Sequence, residues 1–376
     1  GVLVRADGAV AAETPELALN GALCRGVRGG DFLEGHVGHV VNDADGELTL
    51  HLVLLQLVVN GEDGGGRSIL GAEAVAAADD LNVGLAGVCQ SGHDVEHDAI
   101  RKSLDELEKR GFEVTRLKPD ASGVIPVQSV VDALRDDTIL VSLMMVNNET
   151  GAVTDISAVS RELKRAGSQA LLHTDAVQGF MKVPFRAKTL GADMISISGH
   201  KIHAPKGIGA LYIRAGLKLK PFIVGGSQES GMRAGTEAMP QIAAFGAASE
   251  IAYAGMKENI ARMSALRERA VSRLERDIPE LRVISSADSA PHILSISLPG
   301  WRSEVLMNFL EARGVYVSRS SACKKGGRSH VLETVGLDAK TIDGAIRVGL
   351  SRLTTEEDID ALCDALRDAH DTLAHR

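Results

Sequence analysis

One stretch constrains the fold more than any other: Met-Ile-Ser-Ile-Ser-Gly-His-Lys-Ile-His-Ala-Pro-Lys-Gly-Ile-Gly, from Met194 to Gly209. Its first residues read as a short buried strand, and the Gly, Pro and Gly that follow mark a loop that turns sharply at the strand's end. Lys201 sits at that turn. α/β sheets bind small molecules in the crevice beyond the carboxyl ends of their strands, so this is where a ligand-bearing residue is expected. A lysine taken alone is more often a solvated surface residue. The segment Leu171-Leu172-His173-Thr174-Asp175-Ala176-Val177-Gln178 changes the balance, because it is a second apolar run that ends in a carboxylate, 26 residues before Lys201. Two such strands place Asp175 and Lys201 on one edge of a sheet. A lysine and an aspartate so placed suit pyridoxal phosphate, whose aldehyde bonds to a lysine while an aspartate keeps the ring nitrogen protonated. The competing reading, a helix-capping Asp and an unrelated Lys, remains open on spacing alone.

Around these runs the chain alternates in a βαβ manner. Ile100, Leu104 and Leu107 line one face of a helix over Ile100 to Arg110, and Ser157 to Ala166 reads as another helix. Phe112 to Val114, Thr138 to Val146 and Ala210 to Arg214 read as strands, the second apolar enough for a parallel strand covered on both faces. Strand, helix, strand repetition predicts right-handed crossovers. Pro240 opens a helical region to about Arg276. An α+β pattern follows, with strands at Ile293 to Leu298 and Val315 to Ser318 and helices at Glu304 to Arg313 and Glu356 to Leu373.

Several of these segments also carry a family resemblance. Ser198-Gly199-His200-Lys201-Ile202 with Pro205-Lys206-Gly207-Ile208-Gly209, Asn147-Asn148-Glu149-Thr150-Gly151, His173 to Gln178 and Ser321-Ala322-Cys323 together resemble the cysteine desulfurases of the NifS/IscS type. These are class V aminotransferases of PLP fold type I, and the resemblance runs from about Glu96 to the C-terminus. It implies an α/β large domain with a mostly parallel mixed sheet flanked by helices, over residues 96–250, and a smaller α+β domain over 251–376. Residues 1–95 then form an atypical N-terminal part of the large domain.

The resemblance also assigns roles. Lys201 bonds the pyridoxal 5'-phosphate aldehyde and moves protons, Asp175 pairs with the ring nitrogen, and Gln178 donates to the ring's phenolic oxygen. His97, 51 residues before Asn148, stacks on the ring. Asn148 lies near both cofactor and substrate carboxylate. Ser198 and His200 hold the phosphate, and Thr236 reaches the phosphate of a neighbouring subunit, which implies a homodimer. Arg347 grips the substrate carboxylate, a bidentate task suited to guanidinium.

Cys323 selects the reaction. It lies in Ser318-Arg319-Ser320-Ser321-Ala322-Cys323-Lys324-Lys325-Gly326-Gly327, among small residues and before two lysines, a setting that favours thiolate. By resemblance this thiol takes sulfur from L-cysteine, releases L-alanine, and passes the persulfide to a sulfur-acceptor protein, an iron-sulfur scaffold or a thiolation protein. Arg319 stands where the family commonly has a small residue. Two alternatives stand beside this reading: another class V enzyme, such as a selenocysteine lyase or aminotransferase, or a catalytically impaired homologue that binds a partner.

The first 95 residues lack the family's early motifs. They hold 14 acidic residues against four arginines and no lysine, and so carry -10 of a chain whose net charge is -9. Right length with wrong residues reads as out-of-frame or wrong-strand translation. Within them Leu48 to Val59 and Asn82 to Val88 read as strands and Ala72 to Asp80 as a helix. Gly64-Gly65-Gly66 reads as a turn rather than a phosphate loop. No basic patch and only 3% aromatic residues argue against nucleic acid. Four widely spaced cysteines form neither a metal nor a disulfide pattern. With no signal-peptide pattern and no apolar run long enough for a bilayer, a cytoplasmic protein without metal or membrane contact is expected.

Overall fold

The computed structural model describes residues 95–319 and 328–374 in full, together with the backbone of four strand segments at 40–41, 49–50, 52–56 and 87–91. Cys323, the glycines at 64–66 and the helix expected at 72–80 lie outside the described residues.

The larger sheet has seven strands in the order β3-β9-β8-β7-β6-β4-β5. In chain order these are β3 (Leu52–Gln56), β4 (Gly87–Ser91), β5 (Glu113–Leu117), β6 (Leu140–Met144), β7 (Leu171–Asp175), β8 (Met194–Ser198) and β9 (Ile208–Ile213). A separate pair, β1 (Val40–Val41) and β2 (Thr49–Leu50), lies outside this sheet. β4 to β8 are parallel to their neighbours, and β9 and β3 close one side antiparallel. The α/β expectation therefore holds. Every residue of β6 is buried, as a strand covered on both faces requires. The buried imidazole of His173 bridges three strands, with Ser142 Oγ on β6 at 2.8 Å and Ser196 Oγ on β8 at 2.9 Å. Burial pushes this imidazole down to about 4, so it is a neutral cross-strand tie.

Two strands of this sheet come from the first 95 residues. β3 falls within the expected run at 48–59. β4 lies later than the run expected at 82–88, because its pairing with β5 and β6, rather than local hydropathy, fixes its limits. The helix Asp98–Lys109 buries Ile100, Leu104 and Leu107 as its periodicity predicts.

The second sheet is antiparallel, in the order β10-β11-β13-β12: β10 (Arg282–Val283), β11 (Ile293–Ser297), β12 (Ser318–Arg319) and β13 (Ala345–Gly349). Helices Met256–Asp277 and Glu356–Thr372 pack with it around Leu266, Leu274, Leu306, Ile346 and Leu366. The last helix opens with a capping box, in which the Thr355 side chain accepts from Asp358 N and Asp358 accepts from Thr355 N. The helical region after Pro240 is broken, not continuous: Met239–Ala254 and Met256–Asp277 meet at Gly255, whose φ of -99° and ψ of 10° interrupt the helix. β13, the strand that carries Arg347, is not among the strands expected from sequence.

The two sheets meet along the loop at 147–151. Ser285 Oγ donates to Thr150 O at 2.6 Å, Ala290 N to Gly151 O at 2.8 Å, and Arg347 Nη1 to Asn148 O at 2.6 Å. Asn147 builds this loop from inside. Its Nδ2 donates to Val95 O at 2.7 Å while its Oδ1 accepts from Glu149 N and Thr150 N. Asn147 is thus structural, and its neighbour Asn148 faces the cavity.

Candidate active site

Asp175 is the last residue of β7, and Lys201 lies in the 3-10 turn Gly199–Ile202 that follows β8. The strands are adjacent and parallel, so both residues stand at one sheet edge, as the spacing implied. Gly199 lets the turn fold tightly: a Cβ there would meet Ile208 Cγ2 at 2.9 Å. At the other strand, Gly179 lets the chain after Gln178 press on Met145, where a Cβ would come within 2.5 Å of Sδ.

A cavity of about 290 Å³ opens beside this edge. Asn148, Gln178, His200, Lys201 and Arg347, all singled out from sequence, line it. Lys182, His203, His292 and Arg352 join them, and among the described residues no carboxylate lines it. The cationic and imidazole groups among the described lining residues suit an anion. Cavity volume and charge fit a phosphorylated, carboxylate-bearing adduct. Asp175 stands behind the wall rather than in it, 7% exposed, with Oδ1 accepting from Val177 N at 2.9 Å.

Asp175 and the neighbouring Glu96 are both buried carboxyls, and burial raises both. The Val177 N–H and the positive fields of His97 and Lys201 favour ionised Asp175. Glu96 has only the Met144 N–H, at 2.6 Å on Oε1, and its Oε2 is buried with no partner among the described residues. Like charges this close do not both ionise, so Glu96 holds a proton and Asp175 is the anion. An anionic Asp175 behind the cavity wall suits a protonated pyridine nitrogen.

His97 caps the helix Asp98–Lys109, its Nδ1 accepting from Ala99 N at 3.2 Å. It therefore has a structural task besides its electrostatic influence on Asp175. Ser198 Oγ and His200 Nδ1 pair at 2.8 Å beside Lys201. Burial, then Lys201 and Lys182, lower the His200 imidazole, which leaves it neutral. Thr236 is exposed and does not line the cavity. Cys363 is buried, its thiol pushed up to about 11 by burial, so it is no nucleophile.

Sequence reading passed over Glu96, Glu149, Lys182 and His292 as site groups. Glu149 is buried, accepts from Ser329 Oγ and lies near Arg347. Burial raises its carboxyl to about 7, against the pull of Ser329 and Arg347. Its folded value lies above the ordinary 4.5, so the folded state keeps a proton that the unfolded chain has released. Stability from this group is full below about pH 4.5 and falls as pH rises to about 7. The loss is on the order of 3 kcal/mol at about 1.4 kcal/mol per pKa unit. Urea unfolding at pH 5 and pH 8 is expected to show that fall in the native chain and a flatter profile in Glu149→Gln; equal slopes would rule Glu149 out as the cause.

With this geometry in place, comparison with known proteins gives the lineage. The family described as Aminotransferase class-V matches residues 92–362. The chain belongs to the class-V aminotransferase family. Among its relatives, "Cysteine desulfurase 2" of Trichormus variabilis is 44% identical over 269 residues, covering 71% of this chain and 67% of that protein. "Cysteine desulfurase IscS" of Methanosarcina thermophila is 38% identical, covering 72% and 67%. A solved structure titled "NIFS-LIKE PROTEIN" superposes with a TM-score of 0.74 at 33% identity, covering 81% of each chain. A NifS-like protein from Rickettsia africae gives 0.70 at 27% identity, covering 80% of each. The class-V match begins near Glu96, where the resemblance in the sequence begins. Among the described residues no helix is long and apolar enough to cross a membrane.

Proposed function

We propose that this class-V protein is a pyridoxal 5'-phosphate-dependent cysteine desulfurase. The observation that carries the reading is Lys201 beside Asp175 at one sheet edge, with Lys201, Gln178 and Arg347 lining one cavity. The desulfurase relatives add the reaction. When bound, the cofactor supplies an electron sink that makes the substrate's α-proton acidic and its carbon–sulfur bond labile.

The protein's residues do the rest. Lys201 would hold the cofactor through its aldehyde, and the Lys201 amine would take the substrate's α-proton. Asp175 keeps the ring nitrogen protonated, and the Gln178 amide donates to the ring oxygen. Ser198 and His200 would hold the phosphate, and His97 would stack on the ring. Asn148 and Arg347 bind the carboxylate of L-cysteine; the Asn148 carbonyl already fixes Arg347 through Nη1. Cys323, as thiolate, attacks the substrate's sulfur as the carbon–sulfur bond breaks. The products are L-alanine and a Cys323 persulfide, and a sulfur-acceptor protein of iron-sulfur assembly or thiolation takes the outer sulfur.

A homodimer fits this reading. The helix Met239–Ala254 is apolar nearly all round yet buries only Ile242 and Phe245, and Tyr253, Phe222 and Val224 are 63%, 58% and 75% exposed. A second copy covering this surface would hide it from water. A cytoplasmic location accords with the reactive thiol.

Borohydride reduction of the cofactor-loaded protein, followed by peptide mass mapping, tests the reading. A pyridoxyl mass on the peptide bearing Lys201 is expected. A label on Lys182 or elsewhere would reassign the cofactor lysine, and no label would remove the cofactor from the account.

A further inference from the structure

His292 lies just before β11, in the second sheet's part of the chain, and Gln178 follows β7 of the first. Their side chains meet at the cavity wall, with His292 Nε2 3.3 Å from Gln178 Oε1. Both residues are anchored. His292 O accepts from Leu350 N at 2.9 Å, and Gln178 is followed by the close-packed Gly179. The His292 ring is 4% exposed, and its Nδ1 is buried with no partner among the described residues. Gln178 makes no other side-chain hydrogen bond among the described residues.

Donor counting then fixes the pair. Burial, with Lys182, Lys201 and Arg347 nearby, keeps the imidazole neutral, so it has one N–H and one bare nitrogen. With the proton on Nε2, the ring donates to Gln178 Oε1 and the amide NH₂ is left for the cavity. Nδ1 is then a bare acceptor. With the proton on Nδ1, an N–H is buried without an acceptor, and Gln178 must flip to donate to Nε2. Its carbonyl would then face a cavity built for anions. The second arrangement strands a donor and turns an acceptor towards an anion, and each error costs free energy.

We infer that His292 is a positioning residue whose Nε2–H sets the orientation of the Gln178 amide, so that its N–H groups face the anionic oxygen of the bound cofactor. The inference rests on the cofactor reading above. It makes a side chain from one sheet the determinant of a cofactor contact made by the other, across 114 residues of sequence.

The test is a double-mutant cycle on cofactor binding, read from the visible absorbance of the full chain titrated with pyridoxal 5'-phosphate. His292→Phe is expected to weaken binding about tenfold, the value of one hydrogen bond to a charged group. In a Gln178→Ala background the same change is expected to have little further effect. His292→Asn, which keeps a donor, is expected to recover part of the loss. Equal effects of His292→Phe in both backgrounds, or none in either, would overturn the inference while leaving the cofactor reading intact. Absence of a visible band in the native chain would overturn both. Imidazole ¹⁵N shifts of the native chain supply a readout that needs no cofactor and no variant: a neutral His292 protonated on Nε2 supports the assignment, and protonation on Nδ1 contradicts it.

Discussion

Lys201→Ala is expected to abolish turnover of L-cysteine, by about 10⁴-fold or more, and to remove the borohydride-stable attachment of cofactor. Two functions are lost at once. In the proposed mechanism Lys201 supplies the amine that bonds the aldehyde, and general acid–base catalysis by a positioned side chain is worth about 10² to 10⁴ by itself. The fold should survive, because Gly199 and Ile202 are buried in the turn Gly199–Ile202. Circular dichroism and a thermal melt alongside the assay separate loss of chemistry from loss of structure. Lys182 is the informative control. It shares the cavity wall with Lys201, and burial, then Lys201, lower its ammonium to about 8, so its amine is also available near neutral pH. Adding methylamine to Lys201→Ala is expected to restore part of the proton transfer. Full activity in Lys201→Ala would hand the role to Lys182.

Cys323→Ala is the second change with a large expected effect, and it separates reactions within the class-V family. Deletion of the thiol removes the proposed sulfur-accepting nucleophile, so alanine formation from L-cysteine should fall to background. The spectrum of the bound cofactor should stay unchanged, because the cavity residues are untouched. An aminotransferase would keep its activity in this variant, since amino-group transfer needs no thiol. Cys363→Ala should leave sulfur transfer intact, because its thiol is buried against Ala270 O at 4.0 Å and is held protonated. Loss of cysteine turnover in Cys363→Ala rather than Cys323→Ala would reverse the assignment.

The cofactor edge of the site was legible in the sequence for a physical reason. β7 and β8 are apolar runs that end in polar residues at a turn, and adjacent parallel strands must put such ends together. Asp175, Gln178, His200 and Lys201 could be placed from that pattern and the family motif. Arg347 was legible only through the motif. Its strand, Ala-Ile-Arg-Val-Gly, is short and ends in glycine, so local hydropathy does not announce β13.

His292, Lys182 and Glu96 were not legible as site groups. Their roles follow from how the two sheets pack and from what burial does to a carboxyl or imidazole, neither of which has a period or a spacing. The boundary of β4 failed for a related reason. Gly-Val-Cys-Gln-Ser takes its limits from its pairing with β5 and β6, not from its own composition. The helical region expected after Pro240 is present, as two helices that meet at Gly255.

The central claim, a pyridoxal 5'-phosphate enzyme that moves sulfur from L-cysteine to a protein thiol, is tested most directly by one measurement. Purified protein supplied with pyridoxal 5'-phosphate and L-cysteine is assayed for L-alanine and for persulfide on Cys323 in the same reaction, before any acceptor is added. The account predicts one alanine for each persulfide in the first turnover, and none of either without the cofactor. Alanine without persulfide, or neither product from a protein that has bound the cofactor, would contradict it.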